Sequence, residues 1–132
     1  MRQKFLVLSI FALVASAAPA AASASLEVQI NGLPYADIAK WPPSAKLSAG
    51  VPITVAIIIH GGKAADPPWL KHGDDVQMNG AGTNPQPTSD EYTFFVTPLH
   101  PGKVTFAALD LRTTAGQSLH MNSITLPVVP LK

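Results

Sequence analysis

The stretch EYTFFVTPLHPGKVTFAALDLRTTAGQSLHMNSITLPVV, Glu91 to Val129, decides the fold class. β-Branched and aromatic residues fill three runs, and Gly and Pro fall in the gaps between them, the pattern of strands separated by turns. The spacing predicts a first strand over Glu91–Thr97 and a corner ending in Pro101-Gly102. A second strand over Lys103–Arg112, a turn at Thr114-Ala115-Gly116-Gln117 and a last strand over Ser118–Val129 complete it. The apolar residues of these runs expected in the core are Phe94, Val96, Val104, Phe106, Leu109, Leu119, Ile124 and Leu126.

Toward the N-terminus the same pattern continues. Leu26, Val28 and Ile30 alternate with Glu27 and Gln29, a period of two that marks a half-buried strand, and Asn31-Gly32 closes it with a turn dipeptide. Leu33–Lys46 is irregular, because the prolines of Trp41-Pro42-Pro43 lack a donor and restrict the residue before them. Pro52–Ile59 (PITVAIII) is apolar on both faces and predicts a central strand covered on both sides. After His60-Gly61-Gly62 come a Pro-containing loop over Lys63–Gly73, a weak strand over Asp74–Asn79 and a polar surface loop over Gly80–Asp90. Nothing from Ser25 onward sustains a period of 3.6. The expectation is an all-β chain, an immunoglobulin-like β-sandwich of about seven strands over residues 25–132.

The first two dozen residues point to export. Met1-Arg2-Gln3-Lys4 is a short basic segment, and Phe5–Ala15 is an uncharged apolar run too short to cross a bilayer comfortably. Ala22-Ser23-Ala24 has the A-x-A form at which a signal peptide is cut, with Ala20-Ala21-Ala22 as a second choice. A signal peptide over residues 1–24, a periplasmic or secreted product and no transmembrane anchor in the mature chain are therefore expected. Removing residues 1–24 from 132 leaves 108, and the nine Lys+Arg lose Arg2 and Lys4 to stand at seven against eight Asp+Glu. A nearly neutral chain gives no electrostatic case for nucleic acid or anionic membrane. The chain has no Cys, so stability must come from apolar burial rather than disulfides.

Several motifs carry a resemblance. Leu47, Gly50, Val51 and Pro52 lead into the apolar strand, and Tyr92 and Phe94 follow the polar stretch. Pro101, Gly102 and Phe106, then Gly116, and finally Ser123, Ile124 and Val128 complete the set. Together, over about residues 45–129, they resemble one Ig-like module of the BatD-type oxygen-tolerance proteins. The resemblance implies a protein partner in the cell envelope and a link to oxidative-stress tolerance. It supplies no catalytic residues.

No catalytic signature emerges from the residues themselves. His72 with Asp74 and Asp75 lacks a Gly-x-Ser-x-Gly elbow or other supporting motif, so hydrolysis has no nucleophile to build on. Asp74-Asp75 and Asp90-Glu91 read as solvated junction residues, and no calcium-loop spacing is present. His60, His72, His100 and His120 with Met78 and Met121 form the one soft-ligand set, which makes a small copper carrier the alternative reading. His120 and Met121 are strand neighbours and must point to opposite faces. No cofactor is expected under the main reading. The remaining candidates are Trp41 with Pro42 and Pro43, and Trp69 with Pro67 and Pro68, which lie outside the strands. They either cap the open ends of the sandwich or form an exposed aromatic and proline surface for a partner. A carbohydrate-binding module would have to draw on Trp41, Trp69, Tyr35 and Tyr92.

Overall fold

The computed structural model describes residues 23–131. The expected signal peptide therefore lies outside the described residues, except for Ser23 and Ala24. Among the described residues no helix is long and apolar enough to cross a membrane.

Among the described residues ten strands form, and we number them in chain order. They are β1 (Ser25–Ile30), β2 (Leu33–Pro34), β3 (Leu47–Ser48), β4 (Ile53–His60), β5 (Val76–Gln86), β6 (Ser89–Pro98), β7 (Gly102–Phe106), β8 (Leu109–Arg112), β9 (Ser118–Met121) and β10 (Ile124–Val129). Two short 3-10 turns, Tyr35–Lys40 and Pro43–Ala45, occupy the proline-rich segment. The strands make a five-stranded sheet in the order β2-β1-β4-β6-β5, a three-stranded sheet β3-β10-β7 and a two-stranded ladder β9-β8. Every pair is antiparallel except β3 with β10. The chain is an all-β sandwich.

Alternation builds the core. Ile53, Val55 and Ile57 of β4, with Phe94 and Val96 of β6, face Val104 and Phe106 of β7 and Ile124, Leu126 and Val128 of β10. These side chains are at most 4 % exposed, and burying each contributes on the order of 1.5–3 kcal/mol. A second, smaller cluster of Ala24, Ile59, Leu111 and Leu119 lies under the β8–β9 ladder. The Asn-Gly turn behaves as its sequence requires: Asn31 and Gly32 have φ of 52° and 83°. The Asn31 side chain also accepts from the Thr54 amide at 2.9 Å, tying the turn to β4.

Three expectations need correction. Lys103–Arg112 and Ser118–Val129 are each divided in two, giving β7 then β8 and β9 then β10. They still form one bent antiparallel hairpin, since Met121 opposes Leu109 and Ile124 opposes Phe106. The break falls where Ala107 donates to the Lys71 carbonyl at 3.0 Å instead of across the hairpin. Gly80–Asp90 is not a loop. It carries the second half of β5, a Pro87-Thr88 turn and the start of β6. Because β5 is an edge strand, pairing on one side suffices, and little burial is demanded of its residues. Finally, β4 is central in the hydrogen-bonding direction, between β1 and β6, but its outer face is only half covered. Thr54 and Ile58 remain half-buried there, and Phe95 on β6 is 44 % exposed.

Candidate functional site

The segment between β4 and β5 is pinned at both ends and free in the middle. At its start, the Lys63 ammonium meets the Asp90 carboxylate at 2.7 Å and also donates to the carbonyls of Ser89 and Gln86. Ala64 bridges to Thr113, its amide donates to the Asp90 carboxylate at 2.9 Å, and the Ala65 amide donates to the Arg112 carbonyl at 2.8 Å. At its far end Leu70 is fully buried in the main core, and His72 bridges to Phe106. Between these anchors Asp66-Pro67-Pro68-Trp69 runs over the surface as a ridge. Two prolines stiffen it by fixing φ.

Asp90 is a buried acid, and its environment explains how it stays charged. Burial alone would push its carboxyl up. The hydrogen bond from Lys63, the Ala64 amide, the Lys63 charge and the Tyr92 hydroxyl outweigh that and hold it below the usual carboxylate range. Tyr92 in turn is raised by burial and by the Asp90 charge beside it.

The ridge separates two depressions. On one side lies an apolar groove of about 140 Å³ bounded by Pro67, Pro68 and Trp69, with Phe94 and Tyr92 as floor and Ala81, Gly82 and Thr83 of β5 as the outer lip. Trp69 stands edge-on to Phe94, ring centres 5.6 Å apart and planes at 89°. The indole is nevertheless 58 % exposed. Small residues on β5 keep the groove open, since a larger side chain opposite Phe94 or Tyr92 would close it.

On the other side lies a polar cleft of about 400 Å³, lined by Asp66, Asp110, Leu111, Arg112 and Ser118 with the two prolines. Register places its side chains: Ser118 opposes Arg112, and His120 opposes Asp110, so all four share one face of the β8–β9 ladder. The His120 ring meets the Asp110 carboxylate at 2.6 Å, with 54 % and 83 % of those side chains exposed. A serine, a histidine and an aspartate on one face have the composition of a hydrolytic triad. So open a setting suits a hydrogen-bonding rim better than a water-excluded reaction centre. Spacing from the four-residue turn Thr114–Gln117 would have missed this face, because it sets Ser118 against Thr113. The Thr113 amide donates to the Gln117 carbonyl, which leaves a three-residue turn and shifts the register by one.

The other expected residues go elsewhere. Trp41 is half-buried, packs on the main core and donates its indole N–H to the Pro34 carbonyl at 2.9 Å. With Pro42 and Pro43 it lines an apolar recess of about 310 Å³ beside Ile38, Leu47 and Pro127. That recess shares no lining residue with the Trp69 groove. The two tryptophans thus belong to different surfaces. Tyr35 is taken up by Thr125, whose amide donates to its hydroxyl at 3.2 Å.

The candidate ligands of the copper reading are scattered. His60 pairs with Glu27 at 2.7 Å at the end of β4, and Gln29 and His60 together hold the Glu27 carboxyl below its ordinary range. The His72 ring contacts the Gly73 carbonyl at 2.8 Å, and His100 lies exposed in the corner before β7. Met121 is buried in the main core and Met78 packs against it, whereas His120 faces outward. Among the described residues no three His, Asp or Glu side chains converge.

Set against known proteins, the chain matches no family model, no curated protein and no solved structure.

Proposed function

We propose that this chain is an exported, non-enzymatic binding module of the bacterial cell envelope, and that it takes its protein partner on the Pro67-Pro68-Trp69 ridge. The observation that carries the reading is the contrast between the exposed Trp69 indole and its rigid mounting between Lys63 and Leu70. Folding leaves most of the indole in water, while the segment that holds it is fixed by an ion pair, three β-type hydrogen bonds and a core leucine. Association is cheapest when the contacting groups are already ordered. A protruding tryptophan beside a small apolar groove, flanked by arginine, aspartate, histidine and serine, has the anatomy of a binding hot spot with a polar rim.

The cell-envelope setting rests on the sequence: the basic and apolar leader, and the motifs shared with the BatD-type oxygen-tolerance proteins. That resemblance narrows the partner to an envelope protein engaged under oxygen or oxidative stress. Trp41 with Pro42 and Pro43 is the lesser candidate, because its indole N–H is already used inside the fold.

Tagged chain recovered from bacterial envelope extracts, with and without oxidative stress, tests the reading. Trp69→Ala should lose a specific partner by tenfold or more, the scale of a hot-spot truncation, whereas Trp41→Phe should keep it. Equal capture by wild type and Trp69→Ala would remove the ridge as the docking site.

A further inference from the structure

The last two A-x-A sequences of the leader, Ala20-Ala21-Ala22 and Ala22-Ser23-Ala24, both suit a signal peptidase, yet they are not equivalent to the fold. A cut after Ala24 makes Ser25 the first residue, and a cut after Ala22 makes it Ser23. Ala24 is 9 % exposed and packs with Ile59, Leu111 and Leu119. Its amide donates to the Gln117 side-chain oxygen at 2.7 Å, and its carbonyl accepts from the Gln117 side-chain nitrogen at 2.9 Å. The Gln117 amide thereby does for Ala24 what a neighbouring strand does in a ladder, extending β1 by one residue. Gln117 is itself set by the turn, since its backbone amide donates to the Thr113 hydroxyl at 3.0 Å and its carbonyl accepts from the Thr113 amide at 2.8 Å.

The opposite wall is shaped for these residues. A Cβ on Gly62 would come within 3.1 Å of the Ala24 side chain, and one on Gly61 within 3.2 Å of the Ser23 carbonyl. Two glycines after β4 thus leave room for Ser23 and Ala24 to pass. Ser23 itself is exposed, a position where a new terminal ammonium stays in water. A chain beginning at Ser25 would lose both Gln117 bonds and the Ala24 methyl. It would also bring its terminal charge to the edge of the Ile59–Leu111–Leu119 cluster.

We propose that maturation cuts the Ala22–Ser23 bond, so that the working protein begins at Ser23. Water is consumed as the Ala22 carbonyl becomes a carboxyl and the Ser23 nitrogen becomes the new amine. Ala20 and Ala22 occupy the two small-residue positions that the peptidase reads. The peptidase acts on an unfolded chain, so the fold does not steer the cut; it identifies the product that is complete. This inference rests on the export reading.

Expressing the whole chain, residues 1–132, in a bacterium with an intact export pathway and measuring the mass of the purified product tests it. A mass equal to residues 23–132 is the expected result. A mass equal to residues 25–132, or to any other start, overturns the inference while leaving export standing. An uncut chain of 132 residues overturns the export reading and the inference with it. Gln117→Ala in the same expressed chain gives a second readout. If Ala24 is retained, the melting temperature falls by roughly 4–10 °C, the scale of two lost hydrogen bonds in a domain of this size. An unchanged melting temperature would mean that the Gln117 amide has no partner to lose, contrary to the inference.

Discussion

Replacing Trp69 with Ala removes an indole that is 58 % exposed and touches Phe94 through one ring edge. The loss should cost the aromatic pair, about 0.5–1.5 kcal/mol, together with the minor share of the indole that is buried. Phe94→Ala, by contrast, empties a site that is 2 % exposed and should cost about 3–5 kcal/mol in a chemical-denaturation curve. If the Trp69 variant lost as much as the Phe94 variant, the indole would be a core plug. Asp90 gives a second test at this scale. Its folded pKa is depressed, so its contribution is fully present above the unfolded value near 3.9 and is lost as pH falls through the lower folded value. Denaturation midpoints between pH 7 and 2 should therefore fall less steeply at the acid end in Asp90→Asn than in wild type. Lys63→Met leaves the Asp90 charge without its cation and should lose about 1–3 kcal/mol at neutral pH. Residue-level legibility was uneven. Seven of the eight core residues expected in the Glu91–Val129 strands are buried, and the eighth, Leu109, is partly so, because large apolar side chains in a strand with one wet face collect on the dry one. The exposure of Trp69 was not legible. It depends on Lys63 reaching Asp90, 27 residues along the chain, and on Leu70 entering the core.

At the scale of elements, β5 is the strand that sequence reading missed, and its chemistry shows why. Its eleven residues include Asn79, Gly80, Gly82, Asn84 and Pro85, types depleted from sheet interiors. An edge strand tolerates them because one side of its backbone faces water. The two-residue Pro87-Thr88 turn makes Gln86 and Ser89 a hydrogen-bonded pair, so bonded positions alternate back through Asn84 and Gly82. Pro85, Thr83 and Ala81 then present their backbone outward, and proline sits where no amide is needed. Amide exchange measured by NMR should find Gly82 and Asn84 protected and Ala81 and Thr83 exchanging fast. Protection of all four would mean that another strand covers this edge. The hairpin from Gly102 to Val129 was legible almost entire, because its turn residues and its alternation agree. Its central break was not, since that break is set by Lys71, a residue of another segment.

For the whole molecule, the fold keeps its main core and the projecting Trp69 ridge apart. The main core joins the two larger sheets, and the ridge stands at the open β5 side, where an apolar groove and a polar cleft meet. What the sequence could state was the class of the fold and the candidates Trp41 and Trp69; only packing separates the half-buried one from the projecting one. Placing a photo-crosslinking amino acid at position 69 in living bacteria tests that division most directly, with position 103 on the outer face of β7 as reference. A discrete crosslinked partner is expected from position 69 and none from position 103. No crosslink at 69, or the same products from both positions, would contradict that division.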